Sequence, residues 1–284
     1  MFYFPILGAV ALASGTILEK VVLVKKKMNI GIYQTICFFM IALAMVPLLY
    51  FFWGINSSAL TLANLSVFFL VILFSVVANV FVFYSLKWEK LNNLEPARML
   101  EPLFVILLAI MFSFIFGETL YERNFKIVIP ALIAGCALIF SHVKKHHLDC
   151  NKYFLAAIVG SFFFALELAI SRLILDFYSP ISFYFLRCCA ISLISLIIFR
   201  PNFSQLDKRT SLLIFITSIF WVVYRVLIYY GYLSFGVVFT TLMIMLGPIF
   251  IYAFAHIFLK EKLSWRNIVA SIVIIGCVLY GTLV

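Results

Sequence analysis

Long unbroken apolar runs alternate along this chain with short polar joints, and the length of the runs decides what they are. They cover roughly residues 2–23, 30–53, 64–86, 94–116, 125–142, 153–174, 180–199, 210–232, 235–259 and 265–283. A helix that crosses the hydrocarbon core of a bilayer needs about 20 apolar residues, which is the length of most of these runs. Barrel strands would alternate apolar and polar positions over about ten residues, and these runs do not alternate. In lipid every backbone group needs an internal partner, so the pattern predicts helices. The joints are short: Lys25-Lys26-Lys27, then Gly54 to Ala63, His142 to Lys152 near the middle, and Pro201 to Arg209. None is long enough for an extramembrane domain. In the first run Ala11-Leu12-Ala13 resembles a signal cleavage box, but no basic residue precedes it. It reads as a retained span, closed by Glu19-Lys20.

Composition agrees. The chain has 284 residues, 66% of them hydrophobic and 11% charged. Soluble domains run about 45–50% apolar and about 25% charged, so a soluble fold is excluded, and disorder with it. The net charge of +10 comes from 21 Lys and Arg against 11 Asp and Glu. In a soluble protein such a balance would raise nucleic acid as a partner. Here the cations lie in connectors and set orientation instead. Counted with the adjoining span ends, the connectors after odd-numbered spans hold 15 Lys and Arg, and those after even-numbered spans hold 2. The positive-inside rule then expects both termini on the non-cytoplasmic side of a cell or organellar membrane. The six cysteines, Cys37, Cys136, Cys150, Cys188, Cys189 and Cys277, lie mostly in apolar segments and form no secreted disulfide framework.

The two halves repeat one another. Glu118-x-Leu120 and Glu261-x-Leu263 each close an apolar run; Arg123-Asn124 and Arg266-Asn267 follow at the same offset of 143. Gly135-Cys136 and Gly276-Cys277 come next. At an offset of 146, Tyr84 meets Tyr230 and Pro102 meets Pro248. Five spans per half is an odd number, so the second half must enter the membrane in the opposite sense. The predicted fold is therefore an all-α integral membrane protein of ten transmembrane helices in two inverted five-helix repeats. Residues 1–143 form the first repeat, 144–152 a polar connector and 153–284 the second. Many secondary transporters are built so, with substrate bound near the midplane. The paired segments Pro102–Leu120 and Pro248–Leu263, each followed by a Gly-containing last helix, resemble the drug/metabolite transporter superfamily, EamA type. That resemblance implies two five-helix repeats and movement of small metabolites across a membrane. Two departures stand out. Pro102 lies 16 residues before Glu118, whereas Pro248 lies 13 before Glu261. The charge count also puts the termini opposite to the family's usual cytoplasmic placement.

Ionisable residues inside a span cost about 2.5–3.5 kcal/mol each on insertion scales, which marks them as functional candidates. Glu167 is mid-span in Ala165-Leu166-Glu167-Leu168-Ala169, Arg225 is mid-span in the eighth run, and Arg187 lies within the seventh. They read as substrate or proton contacts, or as an ion pair of Glu167 with Arg225 or Arg187. Glu95, Arg98 and Glu101 recur every three residues and so share one helix face. Glu95 and Arg98, near the connector, read as an interfacial ion pair, and the deeper Glu101 as a site residue. Glu101 precedes Pro102 as Gly247 precedes Pro248, and these prolines are expected to kink their helices beside a cavity. Trp221, Tyr224 and Arg225 follow helical spacing and suit a polar pocket lined with rings.

No catalytic motif or phosphate-cradling loop is present. His142, His146, His147 and Cys150 cluster in the central connector but read as solvated, so neither metal nor cofactor is expected. Glu118 and Glu261 read as structural end-of-helix residues. Interior charge balances, with Glu95, Glu101 and Glu167 against Arg98, Arg187 and Arg225. The expectation is a non-enzymatic secondary transporter for a small polar or zwitterionic, amino-acid-like metabolite, working by alternating access, as exporter, exchanger or proton-coupled carrier. Its partners are that small molecule and the bilayer, with the chain a monomer or homodimer. Other readings are a nucleotide-sugar or drug carrier of the same superfamily, a membrane-embedded enzyme on a lipid-linked substrate, and a membrane scaffold.

Overall fold

The computed structural model describes residues 3–25, 28–89, 94, 97–118, 120–121, 124–142, 151–250, 253 and 265–283. The described residues are overwhelmingly helical, with a single isolated antiparallel bridge. The helices are α1 (Tyr3–Lys20), α2 (Ile30–Phe52), α3 (Leu62–Trp88), α4 (Leu100–Phe116), α5 (Phe125–His142), α6 (Lys152–Leu175), α7 (Pro180–Phe199), α8 (Lys208–Ser234), α9 (Val237–Ile244) and α10 (Trp265–Leu283). Seven are long and apolar enough to cross a membrane; α4, α5 and α9 are shorter apolar helices. The chain is a multi-pass integral membrane protein.

The polar joints start the helices by capping them. Asn29, Thr61, Asn151, Ser179 and Asp207 each turn a side-chain oxygen onto backbone N–H groups of the first turn of α2, α3, α6, α7 and α8. Pro180 follows Ser179, at the first helical position, where a missing N–H costs nothing. The first span does not close at Glu19-Lys20: a π-turn, Val21–Lys25, carries it on, and Glu19 is buried. Lys20 reaches sideways, donating from Nζ to the Leu86 carbonyl at 2.6 Å and to that of Glu89. A cation thus meets the terminal carbonyls at the end of α3.

Helix pairing has a simple symmetry. α1 packs on α8 as α6 packs on α3, and α1 on α9 as α6 on α4. α2 packs on α7, α5 on α10, and α4 on α9. Replacing each helix by the one five places on leaves this pairing unchanged. Gly160 permits the close approach of α6 to α3: a Cβ there would stand 2.7 Å from Val82 Cγ2 and 3.2 Å from the Ala78 carbonyl oxygen.

Two loops show that the halves run in opposite senses. The α2–α3 loop and the α6–α7 loop form a clasp in which Ile55 pairs with Tyr178. Asn56 N donates to Phe177 O at 2.8 Å and Ser179 N to Gly54 O at 2.8 Å. Ser182 Oγ accepts from Gly54 N at 3.0 Å, and Ser179 Oγ donates to Phe52 O at 2.5 Å. The C-terminal ends of α2 and α6 therefore share a face. α1 runs opposite to α2, so it also runs opposite to α6.

The helical segments that carry Pro102 and Pro248 are each interrupted just before the proline, at Met99 and at Met245-Leu246, whereas α2 and α5 run unbroken through Pro47 and Pro130. Leu246 N bonds back to Met243 O at 3.2 Å, a three-residue step where a helix makes four. Proline removes an N–H and crowds the carbonyl four residues earlier. The repeat here is longer than a pair of prolines. Met99-Leu100-Glu101-Pro102 matches Met245-Leu246-Gly247-Pro248.

Candidate functional site

A small cavity of about 50 Å³ lies among α1, α2, α3, α6, α7 and α8, with the start of α4 at its edge. At about 10–15 Å³ of probe-occupied volume per water, it holds only a few waters in this conformation. Glu101, Arg187, Trp221, Tyr224 and Arg225 line it, as does Arg98. Glu19, Cys37 and Asn79 also line it and were not singled out from sequence. Glu95 lies outside the described residues, so its pairing with Arg98 is not on view. His146, His147, Cys150 and Glu261 also lie outside. Among the described residues no group of His, Cys, Asp and Glu is arranged to hold a metal.

Glu167 is fully buried but is not part of the cavity wall. It stands behind the two arginines and joins them. Arg187 Nη1 is 3.1 Å from Glu167 Oε1, and Arg225 Nη1 is 3.3 Å from Glu167 Oε2. Tyr229 completes the cluster: its hydroxyl donates to Glu167 Oε1 at 3.1 Å and accepts from Arg187 Nη1 at 2.5 Å. Arg187 Nη2 donates to Ser75 Oγ at 2.6 Å, which ties α7 to α3 across the two halves. The contact of Arg225 with Glu167 is ionic without a well-aligned hydrogen bond, since Glu167 Oε2 and Arg225 Nη1 are both buried without one. The Arg225 guanidinium sits 5.3 Å from the Phe164 ring centre and 5.8 Å from that of Tyr224. Arg187 sits 5.6 Å from the Tyr184 ring. These π faces ease the burial of two cations served by one carboxylate.

The prolines do not line the cavity, but each break borders it. Glu101, beside Pro102, is in the wall. A Cβ on Gly247 would stand 3.0 Å from Leu12 Cδ2, and Leu12 is in the wall. Glu19 was missed because, read as a span terminus, it looked solvated. The signal lay in the repeat: Leu18-Glu19 in α1 matches Leu166-Glu167 in α6, each in the first helix of its half.

Glu19, Cys37, Asn79 and Arg98 lie in the parts of their helices remote from the clasp, whereas Tyr184 and Arg187 lie in the clasp-side half of α7, so the polar wall spans the middle of the bundle.

Comparison with known proteins fits this architecture. A solved structure described only as "Crystal structure of protein" superposes with a TM-score of 0.71 at 16% identity, covering 99% of this chain and 96% of that one. At that identity the likeness is one of fold. No curated protein matches the chain. Residues 151–282, which supply Glu167, Arg187 and Arg225, match the EamA-like transporter family. Over those residues the chain is similar to that family, which supports an assignment to the drug/metabolite transporter superfamily, EamA type.

Proposed function

We propose that the chain is a secondary transporter for a small zwitterionic metabolite, of the size and charge of an amino acid, with residues 1–143 and 153–284 as repeats that rock about the central cavity. The observation that carries this reading is the charged cavity wall. Arg187 and Arg225 are buried, share Glu167 and present the remaining positive charge to an enclosed polar space. A carboxylate entering that space would meet two guanidiniums already held in place. The clasp adds support for alternating access, because one face is held by bonds between loops while Glu19 and Arg98 of the wall lie toward the other. The unclasped face carries the Lys- and Arg-rich connectors, so this conformation leans toward the cytoplasm by the positive-inside rule.

The test is a thermal-shift screen of the purified protein against amino acids, nucleotides, amines and sugars, followed by flux in proteoliposomes. Neutral amino acids are expected to raise the melting temperature and to cross the membrane. Arg225→Gln should lose both effects. A wild-type protein stabilised by nucleotides or sugars alone, or moving no solute, overturns the reading.

A further inference from the structure

The twofold relation between the halves breaks down at the cavity, and the break defines a second subsite. Three registers fix the equivalence. N-caps Thr61 and Asp207 stand 146 apart at the head of α3 and α8, both 27 residues long. N-caps Asn29 and Ser179 stand 150 apart at the head of α2 and α7. Leu18-Glu19 and Leu166-Glu167 stand 148 apart in α1 and α6. In these registers Glu19 corresponds to Glu167, Cys37 to Arg187 and Asn79 to Arg225.

Each half therefore places one buried glutamate from its first helix, but only in the second half do two guanidiniums stand within 4 Å of it. Where Glu167 meets two guanidiniums, Glu19 has the Cys37 thiol beside it, and the Asn79 carboxamide, which donates to the Ser75 carbonyl, shares the same cavity wall. Glu19 is 2% exposed, and among the described residues no cation stands within 4 Å of it. Tyr33 stands beside it, its buried hydroxyl facing Glu19 and the Cys37 thiol without a well-aligned hydrogen bond. Arg98 is its cationic neighbour, and Glu101 faces Arg225 as well as Arg98. The first half thus contributes two carboxylates and one guanidinium to the site, and the second half two guanidiniums and one carboxylate. The cavity is dipolar, negative toward α1 and α4 and positive toward α7 and α8. A buried carboxylate without its own cation is costly, and a cationic ligand removes that cost.

We infer that Glu19, with Cys37 and Tyr33 beside it and Asn79 in the same wall, is an ammonium subsite that orients the substrate amine opposite Arg187 and Arg225. This rests on the transport reading above and assigns the half of the site that reading leaves empty.

Binding of leucine and phenylalanine to the full chain in detergent tests it, each beside its deaminated acid and its decarboxylated amine. The wild type should bind each amino acid at least tenfold more tightly than either singly charged analogue. Glu19→Gln should cost the amino acid at least tenfold while leaving the deaminated acid within about twofold, so that discrimination collapses. An unchanged ratio in Glu19→Gln overturns the subsite and leaves the transport reading standing. If Glu19→Gln does not fold, the wild-type ratio decides: a deaminated acid bound as tightly as its amino acid overturns the subsite. A wild type that binds none of the six probes overturns both.

Discussion

Glu167 shows how much one side chain can organise from behind a wall. It is buried between two guanidiniums and a phenol, so its removal leaves two cations without their counter-charge. Breaking a buried ion pair from one side costs about 3–5 kcal/mol. Glu167→Ala is therefore expected to lower the melting temperature of the purified protein sharply. Removing Arg225 as well should cost less than the two single losses together, which a double-mutant cycle in detergent would read. The pairing of Glu167 with Arg187 and Arg225 was legible in sequence as an ion pair, because an ion pays heavily for a place in mid-membrane. Which of them face the cavity was not, because periodicity assigns a helix face but not the neighbour that covers it. Glu19 escaped for a related reason: a charge followed by lysines resembles the end of a span, and only the tertiary fold, which brings Tyr33 and Cys37 beside it, buries it.

Helices were the most legible part of the molecule. Apolar runs, capping residues and prolines are local signals, and the caps at Asn29, Thr61, Asn151, Ser179 and Asp207 sit where the polar joints end. The interruptions at Met99 and Met245-Leu246 were legible as kinks, but the seams between helices were not, since close approach depends on residues far apart in the chain. Gly160 marks one such seam. Gly160→Val would drive a side chain into Val82 and the Ala78 carbonyl. Overpacking of this kind costs about 1–3 kcal/mol, and it should part α6 from α3. The expected readouts are a lowered melting temperature and slowed solute flux in proteoliposomes. Gly276, where a Cβ would meet nothing within 4 Å, is the contrasting site: Gly276→Ala should leave both measurements unchanged.

For the whole molecule, the odd number of spans per half made the opposed senses of the halves legible from counting alone, and the clasp supplies the physical join. Ile55 and Tyr178 face each other between the two loop hydrogen bonds, as a non-hydrogen-bonded antiparallel pair. Such pairs bring Cα atoms to about 4.5 Å, within disulfide range. The double variant Ile55→Cys, Tyr178→Cys should oxidise readily, arrest flux when oxidised and recover it on reduction. Free flux in the oxidised protein would show that the clasp does not open during the cycle. The charge count supplies a separate expectation: a reporter fused to the C-terminus should be active only on the non-cytoplasmic side. The clasp also decides which experiments can see it. Its two central bonds run from main chain to main chain, so replacing side chains one by one with alanine would leave that latch in place and report an inert loop. Proline at position 56 has a different effect. The backbone there, at φ −80°, already suits a pyrrolidine ring, so Asn56→Pro would delete one rung without bending the strand and let the bolted side of the protein swing more freely.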